Sequence, residues 1–144
     1  MATFERPTPD LGTERHILNK RVVAFVIDVL LLGVVLGITT NYAFVLWEPL
    51  GFLSMGLSVI VAAAYFSYLE ATYGQTIGKM TMDIVVITEE DQPISYRESV
   101  IRTVLRPVDT IGLVALFATD RRQRLGDLAA DTIVVETKAK PDPL

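Results

Sequence analysis

Polar and apolar residues are sharply segregated along this chain. Residues 1–19 are polar and carry Pro7 and Pro9. An apolar run then extends from Val22 to about Tyr42, broken inside by one acid, Asp28. A second apolar run covers Leu50 to Leu69. Each run is about twenty residues, enough to cross a hydrocarbon core of roughly 30 Å as a helix. Helix is the expected form because a backbone removed from water must satisfy its own hydrogen bonds. The first run begins too far in and is too long for a cleaved signal peptide, and no small-residue cleavage pattern follows it. The alternative, two buried helices of a soluble domain, asks a chain of 144 residues to cover both on all sides.

After Gly78 the pattern changes. MDIVVIT (Met82–Thr88) is short and β-branched, EEDQ follows as a polar turn, and PISY (Pro93–Tyr96) is expected to return as a strand. DTIVVETK (Asp131–Lys138) has the same character as MDIVVIT, so the two are expected to pair in a small sheet at the membrane surface. Between them lies SVIRTVLRPVDTIGLVALFAT (Ser99–Thr119), of which only Thr110–Thr119 is cleanly apolar. That is half the length of a span, and basic residues stand on both sides, so an interfacial or re-entrant helix is favoured over a third crossing. The expected fold is an all-α membrane protein with small β elements: a two-span helical hairpin, a third interfacial, re-entrant or spanning helix, and short cytoplasmic strands. Residues 1–18 and 138–144 read as flexible tails around a membrane domain at 19–137.

Charge gives the hairpin a direction. The linker NYAFVLWEPL lacks Lys and Arg, whereas Lys20 and Arg21 precede the first run and Lys79 and Arg97 follow the second. The positive-inside rule then places both termini in the cytoplasm of a multi-pass cell-membrane protein, with Tyr42 and Trp47 at the outer interface. Pro49 suits the first turn of the second helix.

Composition narrows the chemistry. Apolar residues are 51% of the chain and the net charge is −4, which offers no basic excess for nucleic acid. There is no cysteine, and His16 is the one histidine, so neither thiolate chemistry nor a zinc site of the usual kind is expected. No nucleophile–base pair stands out, and neither enzymatic activity nor a cofactor is expected.

What remains is a set of charges at one depth. Asp28 lies seven residues beyond Arg21, roughly 9–10 Å into the first helix. Arg102 and Asp109 repeat that spacing, with Arg106 between them, and Glu70 closes the second run. An aspartate inside an apolar helix costs about 2.5–3.5 kcal/mol on insertion. Asp28 is therefore expected to turn inward to Arg21, Arg102 or Arg106. Asp127 is expected at the inner surface, holding the segment Gly74–Lys79 through Lys79. GQTIGKMT (Gly74–Thr81) does not fit a phosphate loop, because three residues rather than four separate the glycines and Met80 follows Lys79. Gly74, Gln75, Thr76, Gly78 and Lys79 read instead as a tight exit from the second helix. Gly33 and Gly37 form a GxxxG, and Ser54, Ser58 and Ala62 a second small-residue face, both suited to close helix packing within one chain or between copies.

RVVAFVIDVLLL, EATYGQTIGKMTMDIVVI, IRTVLRPVDTIGL and RRQRLGDLAADTIVV, in that order, resemble the RDD family of prokaryotic membrane proteins over roughly Asn19 to Glu136. The family is named for an Arg and two Asp. The first two match Arg21 and Asp28, and the RLGD match favours Asp127 over Asp109 for the third. Asp131 departs from the small residue that relatives carry there. The resemblance implies an integral membrane protein with a suggested role in transport. A component for transport of a small ion or solute is expected, a small cation or proton among the candidates, with Asp28 as the ion- or proton-binding group, Glu70 and Asp109 assisting it, and a homo-oligomer enclosing the path. The rival is a membrane scaffold in which Arg21, Asp28, Arg102, Arg106 and Asp109 are structural.

Overall fold

The computed structural model describes residues 6–14, 16–111 and 125–138. The apolar end of the third segment and the basic run Arg121–Arg124 lie outside the described residues, as does the side chain of Asp109. The chain opens with a short strand, β1 (Pro9–Asp10), and continues into two long helices, α1 (Leu18–Leu46) and α2 (Glu48–Tyr73). A short helix α3 (Ile77–Thr81) leads into strand β2 (Ile84–Thr88). Helix α4 (Tyr96–Ile111) follows, and after the undescribed stretch helix α5 (Leu125–Ala129) leads into strand β3 (Thr132–Thr137).

The two apolar runs form the two long helices. At 29 and 26 residues they extend roughly 43 and 39 Å at 1.5 Å per residue. Both are long and apolar enough to cross a membrane, and 11% of the most apolar stretch of each is buried in the protein. The linker is shorter than the sequence pattern suggested. α1 continues through Asn41–Leu46, which contain no breaker, and Trp47 alone separates the helices. Its extended backbone (φ −169°, ψ 125°) reverses the chain, and Pro49 sits in the first turn of α2, where its missing N–H costs nothing. Near this turn Phe44 and Phe52 meet edge to face at 5.1 Å. Deeper in the hairpin the Thr40 hydroxyl lies 3.3 Å from that of Ser54 and 3.1 Å from that of Ser58. The Ser54/Ser58 face is thus used within the chain. Gly33 and Gly37 face open space, with nothing within 4 Å of where a Cβ would stand.

At the other end of the hairpin, β2 and β3 pair antiparallel with Val86 opposite Val134, as the likeness of the two segments predicted. β1 joins the far edge of β3, giving the order β1-β3-β2. Ile84, Val86 and Val134 pack with Ile17, Ala24 and Ile94, while Val85, Ile87, Ile133 and Val135 form a second buried cluster. Both sets of strand side chains are buried, which is why these strands read as unbroken apolar runs rather than as alternating ones. PISY is not a strand. Pro93 makes one isolated bridge to Ile87, and Tyr96 already begins α4. Proline supplies no N–H to continue a ladder, and Glu98 accepts from the Ser95 amide at 3.0 Å to start the helix instead.

The N-terminal residues also differ from a simple tail. The Glu136 amide donates to Thr13 Oγ1 at 2.7 Å, and Arg6 Nη2 donates to the Ala71 carbonyl at 2.6 Å, where α2 ends. Cations are favoured at a helix C-terminus. Burial pushes the Arg6 guanidinium below its ordinary pKa.

Candidate functional site

Five elements deliver charged side chains to one buried place at the sheet end of the hairpin. α1 supplies Arg21, α2 supplies Glu70, α3 supplies Lys79, and α4 supplies Arg102 and Arg106. α5 adds Asp127. Glu70 and Asp127 are fully buried. Glu70 Oε1 accepts from Lys79 Nζ and from Arg106 Nη2 (3.1 Å), and Oε2 accepts from Arg102 Nε (3.0 Å). Asp127 Oδ2 accepts from Arg21 Nη2 at 2.5 Å, and its Oδ1 accepts from Arg102 Nη1. Arg102 Nη1 also reaches Thr132 Oγ1 at 2.7 Å, tying the network to β3. Arg102 is the bridge between the two carboxylates, a role that suits a planar guanidinium with several fixed donors. Arg106 additionally lies 3.8 Å over the Phe66 ring, a favourable cation–π contact.

Asp28 sits beside this network and is held differently. It is 2% exposed and is the eleventh residue of α1, deeper than the expected seven because the helix starts at Leu18. Its Oδ1 accepts from the Tyr65 hydroxyl (2.7 Å) and the Gly78 amide (2.9 Å), and its Oδ2 from the Thr76 hydroxyl (2.5 Å). The expected arginine partner is absent: among the described residues Asp28 makes no salt bridge. The reason is geometric. Seven residues along a helix is a rise of roughly 10 Å, and Arg21 turns to Asp127 instead. The place next to Asp28 is taken by α3, whose N-terminal amide and capping threonine favour a carboxylate.

The glycines of the 74–79 segment make that approach possible. Gly74 ends α2 in the left-handed region (φ 71°), and a Cβ there would lie 2.8 Å from Val85 Cγ2. A Cβ on Gly78 would collide with the Ala24 carbonyl of α1. Gln75 Nε2 donates to the Ile84 carbonyl at 2.9 Å, and Thr76 caps α3 by accepting from the Lys79 amide. Lys79 sits on Glu70, where the sequence reading had joined it to Asp127. The segment is therefore a turn that places Gly78 on Asp28 and Lys79 on Glu70 in consecutive residues.

A family model described as the RDD family matches residues 17–131. The chain belongs to the RDD family. No curated protein and no solved structure matches it. Of the three residues that the resemblance assigned to the family name, Arg21 and Asp127 form an ion pair, and Asp28 stands apart on neutral donors. Residues that sequence reasoning missed are Tyr65, Thr132 and Phe66, which carry no charge. The one signal for Tyr65 was a polar-tipped ring within an apolar helix.

Proposed function

We propose that this RDD protein is a multi-pass cell-membrane component for transport of a small cation or proton, with Asp28 as the binding group. α1 and α2 span the bilayer, both termini lie in the cytoplasm, and the network around Glu70 and Asp127 is the frame rather than the moving part. One observation supports this division. Asp28 is a buried carboxylate in an apolar helix held by hydroxyls and an amide, while Glu70 and Asp127 are each tied to two or more cationic side chains. A carboxylate with two hydroxyl oxygens beside it is a hard-ligand set suited to a proton or small cation. One hairpin encloses no path, so a homo-oligomer is required, and the open Gly33/Gly37 face suits contact between copies.

The test is ion-driven pH change in proteoliposomes containing the protein or its Asp28→Asn or Tyr65→Phe variants. Flux above empty liposomes that is lost in folded Asp28→Asn supports the proposal, and equal flux in both removes it. A second reading is favoured by the Gly78 amide bond: Asp28 caps α3 and the whole cluster is a membrane scaffold. In that case Asp28→Asn loses folding rather than transport. Exchange of Arg21 and Asp127 (Arg21→Asp with Asp127→Arg) then recovers part of the stability that either single change removes.

A further inference from the structure

α4 is amphipathic in the reverse sense to a helix on a soluble core. Its buried side is polar: Ser99, Arg102 and Arg106 are 0%, 1% and 9% exposed. Its open side carries Tyr96, Val100, Val104 and Val108, one per helical turn, at 57%, 46%, 69% and 48%. Water would leave four apolar side chains wet on a helix that hides Arg102 and Arg106, with the exposed charge Arg97 standing in the first turn. A lipid acyl environment reverses that cost.

The contacts with α2 give α4 a direction. The Tyr96 hydroxyl lies 3.5 Å from that of Thr72, close to the end of α2. Ser99 Oγ donates to the Ser67 carbonyl at 2.6 Å, and Ser67 Oγ donates to Thr103 Oγ1 at 3.1 Å. Arg106 reaches Phe66. As α4 advances from Tyr96 to Arg106, its short-reach partners on α2 recede from Thr72 through Ser67 to Phe66, while Glu70 between them accepts from the long side chains of Arg102 and Arg106. The two helices therefore run in opposite senses, with α4 moving from the sheet end toward the hairpin tip. Arg21 and Arg102 meet on Asp127, and the exposed apolar residues of α1 begin at Val22, Val23 and Val26, directly after Arg21.

We infer that α4 descends into the inner leaflet antiparallel to α2, with the valine stripe in the acyl chains and the arginines sealed against Glu70 and Asp127. The occupant of the open face is lipid, not a second copy or a soluble partner. The inference rests on the membrane reading of α1 and α2 and adds the direction and depth of α4. It also gives Arg102 and Arg106 a reason to sit on buried carboxylates, since a lone guanidinium at that depth is expensive.

The chain has no cysteine, so single cysteines at Val29, Glu90, Val100, Val104 and Val108 can each carry a nitroxide on the otherwise unchanged protein in phosphatidylcholine–phosphatidylglycerol vesicles. All five sites are exposed, so the labels leave the core intact, which circular dichroism checks. The expected result is a collision rate with a water-soluble nickel complex that falls severalfold from Val100 to Val108, while oxygen collision rises. Val29 should read as lipid and Glu90 as water. Aqueous readings at Val104 and Val108 with Val29 still in lipid overturn this inference alone. Equal depth at Val100, Val104 and Val108 also overturns it, in favour of a helix flat on the surface. Spin–spin broadening at Val104 that disappears on dilution with unlabelled protein overturns it in favour of a second copy. An aqueous reading at Val29 removes the membrane reading beneath it as well.

Discussion

Residues 77–88 and 125–136 are built alike but carry opposite charges at one matching position. Each begins with a five-residue helix, α3 or α5. Each then passes through an aspartate in the left-handed region, Asp83 (φ 55°) or Asp131 (φ 52°), and enters a strand. Val86 and Val134 hold matching places in the two stretches and face each other across the sheet, so an approximate two-fold axis runs through that pair. The third helical residue is Lys79 in one stretch and Asp127 in the other. Lys79 meets a carboxylate, Glu70, and Asp127 meets two guanidinium groups, those of Arg21 and Arg102. The same backbone frame thus delivers either sign of charge, and the long helices decide which sign is needed.

The comparison can be broken most severely at Asp127. Asp127→Asn leaves Arg21 and Arg102 buried with a neutral amide between them. It is expected to cost about 3–5 kcal/mol, read by unfolding in mixed detergent micelles. Lys79→Met is expected to cost less, about 1.5–3 kcal/mol for a lost bond to a charged group, because Glu70 keeps Arg102 and Arg106. An equal or larger loss for Lys79→Met would mean that Glu70 is not shared as the distances imply.

Gly78→Ala tests the close approach that only one of the two stretches is described as making. Its Cβ meets backbone, the Ala24 carbonyl, rather than a side chain that could swing away. A loss of about 1–3 kcal/mol is expected in the same assay. The smallest effect sharpens the likeness itself. Asp83→Gly and Asp131→Gly each relieve a left-handed aspartate while adding chain entropy, so each should shift stability by about 0.5 kcal/mol or less. A large loss at one site alone would show that its carboxylate has work beyond the turn. The left-handed φ suits aspartate at position 131, since a short polar side chain that can bond locally enters that region more readily than other non-glycine residues.

How much of this was legible in the sequence depends on the kind of signal each feature leaves. Charges in apolar surroundings were visible at once, and Arg21, Glu70, Arg102, Arg106 and Asp127 do lie in one network. The two strands were visible because both of their faces are buried. The partners of Asp28 were not, because Tyr65 and Thr76 carry no charge and reach it from 37 and 48 residues away. β1 was invisible for another reason. Two residues with a proline among them leave no period to detect, and their pairing depends on the free edge of β3. The length of the linker is illegible because the weak polarity of NYAFVLWEPL resembles a loop, although nothing in Asn41–Leu46 stops a helix.

The single-residue turn at Trp47 has a consequence for exchange with the surroundings. Among the described residues, the far tip offers Trp47, Glu48 and Pro49 and little else, while the strands and the ion pairs gather at the opposite end. The turn between α1 and α2 gives a protease no loop to cut, and it offers an antibody or a water-borne ligand little surface to grip. With α1 and α2 spanning the bilayer as proposed, the described surface that meets water most fully is the sheet end, so a water-borne partner of these residues would approach from that side.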